Sequence, residues 1–359
     1  MGDQKKKKVA VIAVSSLVLV AMVVAVTVGV SNNGNTTAKA NAGAAEGEPV
    51  SKSLKSIKTI CEPTEFNDVC VDTLSKAAGN TTEPKDLVKI AYNVTIDYIS
   101  NAAKQSETLK ELEKDHRAAQ ALENCKELLE YAINDLNQSL EAIGQPDMTK
   151  IDAFVMDLKV WLSAAITYQE TCLDGFENTT GNAGETMRNA LKTSSELTRN
   201  GLAIITKMSE SLHSLQIPLS RRLLSISSDG FPVWASATQR RLLQVPTHKI
   251  AANVVVAKDG SGNYKTINEA LKAVPKTNPK NVPFVVYIKA GVYAESVLVA
   301  KNMNNVMFIG DGPTKTKITG RKNFIDGTNT YNTATVSKYH LLKSFILAYQ
   351  LISETLITD

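Results

Sequence analysis

Residues 118–143 read AAQALENCKELLEYAINDLNQSLEAI. The apolar positions are Ala118, Ala121, Leu122, Cys125, Leu128, Leu129, Ala132, Ile133, Leu136, Leu140 and Ile143. They recur at the three- and four-residue steps that keep one face of an α-helix apolar. The same pattern runs through Ile151, Phe154, Val155, Leu158, Trp161, Leu162, Ala165 and Ile166. An earlier helix is predicted from Leu87, Ile90, Ala91, Val94, Ile96 and Ile99. A later one is predicted from Met187, Ala190, Leu191, Leu197, Leu202, Ile205, Met208 and Leu212. Breakers separate them at Asn80–Pro84, Gly144–Asp147 and Thr180–Asn182. Four amphipathic helices on short links predict an all-α four-helix up-down bundle over residues 51–215.

Outward from the bundle the composition changes on both sides. Lys5–Lys8 precede the uncharged run Val9 to Val30, which is 22 residues long. That is enough to span a bilayer as a helix, and long for a signal-peptide core. Positive charge stays cytoplasmic. The reading is therefore a basic cytoplasmic segment at 1–8, a transmembrane signal-anchor at 9–30, and everything beyond it in the secretory lumen or outside the cell. A cleaved signal peptide, with Ala38-Lys39-Ala40 as its small-residue site, is the alternative. Residues 31–50 are small and polar and read as a flexible stalk.

Two further features agree with export. Sequons of the form Asn-x-Ser/Thr occur at Asn35, Asn80, Asn93, Asn137 and Asn178, which predicts a glycoprotein. The four cysteines, Cys61, Cys70, Cys125 and Cys172, can pair in three ways in an oxidising compartment. Cys61 and Cys70 are close in sequence, and Cys125 and Cys172 lie on helices expected to be antiparallel neighbours, so the pairing assigned is Cys61–Cys70 and Cys125–Cys172.

Residues 216–250 lack periodicity, hold Pro218, Pro232 and Pro246, and carry the word RRLL twice. From residue 251 the chain turns to short β-branched runs, Val254–Val256, Phe284–Ile288, Val297–Val299, Val306–Ile309 and Lys317–Thr319, with one short helix, Ile267–Val274. Glycine-rich turns divide them. Strands at this spacing suit a sandwich, a barrel or a parallel β-helix. The net charge of +4 is mild, with no basic patch interleaved with aromatics, which argues against nucleic-acid binding. No His/Cys/carboxylate cluster suggests a metal site or another cofactor.

The β-rich part carries VVVAKDGSGNYKTINEALKAVP, VYIKAGVYAESVLV, NVMFIGDGPTKTKITG and DGTNTYNTATV between Val254 and Val336. These stretches resemble the opening of plant pectin methylesterases, the Gly291-Val292-Tyr293-Ala294-Glu295 element matching a signature of that family. The upstream bundle, with its Cys61-Glu62-Pro63-Thr64 start, is similar to the pectinesterase-inhibitor-like pro-domain such enzymes carry. The resemblance implies a right-handed parallel β-helix, begun in residues 251–336 and incomplete. It implies hydrolysis of methyl esters of homogalacturonan in the cell wall by an Asp nucleophile and an Asp acid/base, with Gln side chains at the oxyanion and no cofactor.

The family's catalytic Gln-Ala-Val-Ala-Leu-Arg, Gly-Tyr-Gln-Asp, Asp-Phe-Ile-Phe-Gly and Leu-Gly-Arg-Pro-Trp blocks are absent, so no catalytic residue is assigned. Asp311 and Asp326 sit beside glycines and read as turn residues. The chain is expected to be a C-terminally truncated precursor, inactive itself, with residues 337–359 a tail outside the family pattern and an exposed coil end. Thr330 and Tyr331 match positions that contact substrate. By the same resemblance Arg221-Arg222-Leu223-Leu224 and Arg240-Arg241-Leu242-Leu243 are sites for a subtilisin-like processing protease, and the product goes to the cell wall. The alternative function is an inhibitor or binding module, in which the bundle grips a pectinesterase, or an invertase.

Overall fold

The computed structural model describes residues 49–146, 151–214, 251–275, 283–300, 303, 305–338, 348–349 and 352–355. The chain divides between Ser220 and Arg221 into two compact units. The run 9–30 and both RRLL words lie outside the described residues. No helix among those described is long and apolar enough to cross a membrane.

The first unit holds α1 (Pro49–Cys61), α2 (Asn67–Ala77), α3 (Pro84–Leu112), α4 (His116–Gly144), α5 (Ile151–Asp174) and α6 (Ala183–Ser214). The last four are the expected bundle. Each packs on its sequence neighbour, and α6 closes back on α3. The short links force antiparallel order, and cross-helix bonds record it: Ser106 Oγ donates to the Leu122 carbonyl at 2.7 Å, and Arg199 pairs with Glu170 at 2.7 Å.

Local chemistry sets the ends. Gly79, at φ +55°, follows the C-cap of α2 in the left-handed conformation that suits glycine. Pro84 opens α3 where its missing N–H costs nothing. Asp115 caps α4, accepting from the Arg117 and Ala118 amides at 2.8 and 3.3 Å. The expected face of α4 is the buried one: Ala118, Ala121, Leu122, Cys125, Leu129 and Ala132 are fully buried.

The chain enters the bundle through a hairpin. Helix α1 starts at Pro49, two residues inside the segment expected to be stalk. It packs on α2 and the start of α3 through Ile57, Cys61, Cys70, Leu74, Ala78 and Leu87. Polar spacing in KSLKSIKTIC hid this helix from the four-helix reading, because its apolar face is narrow.

Among its described residues the second unit pairs nine strands, all in parallel: β1 (Val254–Val256), β2 (Phe284–Ile288), β3 (Gly291–Ala294), β4 (Val297–Val299), β5 (Val306–Gly310), β6 (Thr316–Gly320), β7 (Val336–Lys338), β8 (Ala348–Tyr349) and β9 (Ile352–Thr355). One short helix, α7 (Ile267–Leu271), follows β1. The sheets run β1-β2-β5-β8, β3-β6-β9 and β4-β7. Each successive turn of chain lays a strand beside its equivalent one turn earlier, with Phe284 opposite Val306, Gly291 opposite Thr316 and Val297 opposite Val336. This is the start of a parallel β-helix, filled by Val256, Ile267, Leu271, Val286, Ile288, Tyr293, Val299, Phe308 and Ile318.

Two features of the coil go beyond the sequence reading. Strand β3 was hidden inside a segment read as a turn plus a signature, since Gly291 and Ala290 look like breakers. Strands continue past Val336: Val336–Lys338 pairs with β4, Ala348–Tyr349 with β5 and Ile352–Thr355 with β6. Three-strand rungs ask only for short runs at the right spacing, and the tail supplies them.

Candidate functional site

In the bundle the side chains that decide its shape are polar. Both predicted disulfides are present. Cys61–Cys70 closes the α1–α2 hairpin, and Cys125–Cys172 joins α4 to α5, with all four residues buried. The hairpin is then held on α6 by one buried side chain. Asn200, 2% exposed, accepts from the Phe66 amide at 3.0 Å and donates to the Phe66 carbonyl at 2.9 Å. A side-chain amide bonded to both backbone groups of one residue fixes position and orientation together.

A second polar joint lies between α5 and α6. Gln169 Nε2 donates to the Ala165 carbonyl and to Thr198 Oγ1, both at 3.1 Å, and its Oε1 accepts from Ser194 at 2.8 Å. All three residues are essentially inaccessible. A third joint ties the bundle's turns. The carboxylate of Asp115 that caps α4 also accepts from the Thr180 amide and hydroxyl, each at 2.7 Å. Bonds from Thr180 first, then from the capped amides, draw its pKa down from 3.8 to about 2.

Burial sets the tyrosines. It pushes the Tyr92 hydroxyl well above its usual range. Burial and then the Asp135 carboxylate raise Tyr168 to about 12. These hydroxyls stay protonated across any physiological pH and serve as fixed polar groups rather than acids.

In the β unit the carboxylates are joints. Asp311 accepts the Tyr287 hydroxyl and, at 2.6 Å, the Ala290 amide, while its own amide donates to Thr316 Oγ1 at 3.0 Å. The Asp311 bond is the main reason Tyr287 is pushed up to about 12. Glu295 caps α7, accepting from the Ile267 amide at 2.8 Å, the Asn268 amide at 3.0 Å and the Asn268 side chain at 2.7 Å. Asp259 and Asp326 close exposed turns with Ser261 and Asn323. Among the described residues these four carboxylates bond to backbone amides or neutral side chains. Among the described residues no group of three or more His, Cys, Asp or Glu could hold a metal ion.

Thr330 and Tyr331 lie together on a 3-10 turn, Thr330–Asn332, just before β7. Thr330 is exposed and Tyr331 half-buried. An open depression of about 490 Å³ lies beside α7, lined by Asn263, Tyr264, Lys265, Glu269, Lys272 and Ala273. Asn80, Asn93, Asn137 and Asn178 are all exposed. Asn35, Arg221–Leu224 and Arg240–Leu243 lie outside the described residues.

The cysteine pairs were legible in the sequence, but not the Asn200 clamp on Phe66, the Asp115–Thr180 latch or the Glu295 cap. Asp115 carried a signal, an Asp directly before a periodic run. Asn200 carried none, since a lone Asn inside a helix gives no hint of a partner 134 residues away.

Comparison with known proteins agrees with this division. The family model of plant invertase/pectin methylesterase inhibitor matches residues 55–204, and that of pectinesterase matches 253–349. The second match runs past Val336 into the segment expected to be foreign. The chain is 51% identical over 295 residues to pectinesterase/pectinesterase inhibitor 28 of Arabidopsis thaliana, covering 82% of this chain and 40% of that protein. It is 52% identical over 292 residues to pectinesterase/pectinesterase inhibitor 21 of the same plant, covering 80% and 43%. Among solved structures, pectin methylesterase from carrot is 41% identical, with a TM-score of 0.26 over 30% of this chain and 37% of that one. The chain thus spans less than half the length of these two curated relatives.

Proposed function

Because this chain joins a domain of the plant invertase/pectin methylesterase inhibitor family to part of a pectinesterase domain, we propose that it is a cell-wall pectin-modifying precursor whose self-contained module is the bundle, which binds a complete pectinesterase and occludes it. One observation carries this reading. The bundle is closed on itself, with its four long helices, two disulfides, clamp and latch all drawn from residues 49–214. In the β unit, by contrast, Asp259, Glu295, Asp311 and Asp326 are committed to turns, a cap and a joint.

The wider setting follows from the same family. The substrate of the pectinesterase part is methyl-esterified homogalacturonan, with Thr330 and Tyr331 on the substrate side. The precursor enters the secretory route, held at the membrane by residues 9–30. A subtilisin-like protease cuts at one RRLL word or the other, which separates bundle from coil and delivers both to the cell wall.

A second reading has the bundle grip an invertase, since the matching inhibitor family covers both enzymes by its description. Sedimentation of residues 49–214 with a complete plant pectinesterase, and separately with a plant invertase, distinguishes the two. A complex with the pectinesterase supports the first reading, and one with the invertase alone supports the second. Free species in both mixtures would remove both.

A further inference from the structure

Four of the five sequons lie in described residues, and all four asparagines are exposed. Exposure of the acceptor therefore does not rank them. The hydroxyl residue two positions later does. Thr95, after Asn93, is 4% exposed in the middle of α3, and its hydroxyl donates to the Ala91 carbonyl at 2.7 Å. Ser139, after Asn137, is fully buried in α4, and its hydroxyl donates to the Asp135 carbonyl at 3.0 Å. Thr82 and Thr180, after Asn80 and Asn178, are exposed and lie outside any helix. Asn80 follows Gly79 in the α2–α3 turn, and Asn178 itself has φ +55° in the α5–α6 turn.

Glycan transfer needs the sequon in an extended, non-helical form with its hydroxyl within reach of the transferring enzyme. Helices close on a sub-microsecond to microsecond scale. A sequon inside a 29-residue helix, with its hydroxyl turned back to a carbonyl of its own helix, is withdrawn almost as soon as it emerges. A sequon in a turn between helices is not drawn into helical hydrogen bonding and can reach the required form. We propose that Asn80 and Asn178 are the glycan-bearing sites of the bundle, and that Asn93 and Asn137 stay bare. In the reaction a bond forms between the asparagine Nδ2 and C1 of a lipid-linked oligosaccharide. The bond from C1 to the pyrophosphate oxygen breaks, the lipid pyrophosphate leaves, and a base takes the amide proton.

Position adds a consequence. Lys85 Nζ donates to the Gly144 carbonyl at 3.1 Å, which sets the Asn80 turn at the end of the bundle where α4 finishes. Thr180 bonds Asp115, which sets the Asn178 turn at the end where α4 begins. The two glycans crown opposite ends and leave the helix sides uncovered. Transfer to Asn178 also precedes docking of its turn, because the Thr180 hydroxyl is later held by Asp115.

The test uses the full chain, carrying Asn35→Gln, expressed through the secretory route of plant cells. Intracellular protein is read by glycosidase mobility shift and glycopeptide mass spectrometry. Asn80→Gln and Asn178→Gln are each expected to lose one glycan's mass, and Asn93→Gln and Asn137→Gln none. Ala91→Pro, which breaks α3 ahead of the Asn93 sequon, is expected to gain one glycan at Asn93. Because the reading is taken on nascent intracellular protein, that variant need not fold. Equal occupancy at all four sites, no glycan at any, or no gain in Ala91→Pro would overturn the proposal. None of these outcomes depends on whether the bundle inhibits an esterase.

Discussion

Removing the two disulfides separately should destabilise the bundle by unequal amounts. All four sulfurs are buried, between 0% and 3% exposed, so Cys→Ala replacement removes similar packing at each site. What differs is the loop each bond closes in the unfolded chain, 9 residues for Cys61–Cys70 and 47 for Cys125–Cys172. In the chain-entropy picture those loops correspond to about 2.5 and about 4 kcal/mol at room temperature. The expected gap is therefore about 1.5 kcal/mol, with the long loop dearer. Urea unfolding of residues 49–214, followed by far-ultraviolet circular dichroism, reads it. With a slope of about 2 kcal/mol per molar, the midpoint should fall by about 1.3 M for Cys61→Ala/Cys70→Ala and by about 2 M for Cys125→Ala/Cys172→Ala. Equal shifts, or a larger one for the short loop, would refute the reasoning and point to hairpin packing as the dominant role of Cys61–Cys70.

Three further outcomes are expected. Asn200→Ala strands the half-buried Phe66 amide and removes one of the two bonds to the Phe66 carbonyl, which keeps the Cys70 amide, and should cost about 1–3 kcal/mol in the same urea assay, with Asn200→Leu no better. Asp115→Ala removes a helix cap and two bonds to Thr180, at about 1–2 kcal/mol near neutral pH. Because the folded pKa of Asp115 lies below its ordinary 3.8, that contribution is complete above 3.8 and fades as pH falls toward about 2. The gap in melting temperature between wild type and Asp115→Ala should therefore close over that window, and a gap unchanged at the acid end would contradict the latch. In the coil, Gly262→Ala sets a Cβ 2.6 Å from the Val255 carbonyl and 3.0 Å from the Ala257 amide, so full-length Gly262→Ala should be recovered in lower soluble yield than wild type.

The bundle was legible because its information is periodic. The apolar steps in residues 118–143 name the buried face of α4 nearly residue by residue. Breakers mark the turns, and antiparallel order follows from their brevity. The cysteine pairing followed from that order. The coil was legible only in pieces: β2 and β5 are dense in Val, Ile and Phe, whereas β3 begins at a glycine and has one buried side chain, Tyr293. Parallel rungs take their register from residues 22 to 40 positions away, as Phe284 opposite Val306 and Phe308 opposite Ala348 show. No local pattern encodes such a spacing. The Asn200 clamp was hidden for the same reason, while the role of Asp311 as a joint could be suspected from its turn but not assigned to Tyr287.

The account stands or falls on what the bundle does to an esterase. Methanol release from methylated pectin by a complete plant pectinesterase should be titrated with purified residues 49–214. Activity should fall in proportion to added bundle and be lost near one equivalent. Activity that stays unchanged at a large excess of folded, disulfide-bonded bundle would contradict it.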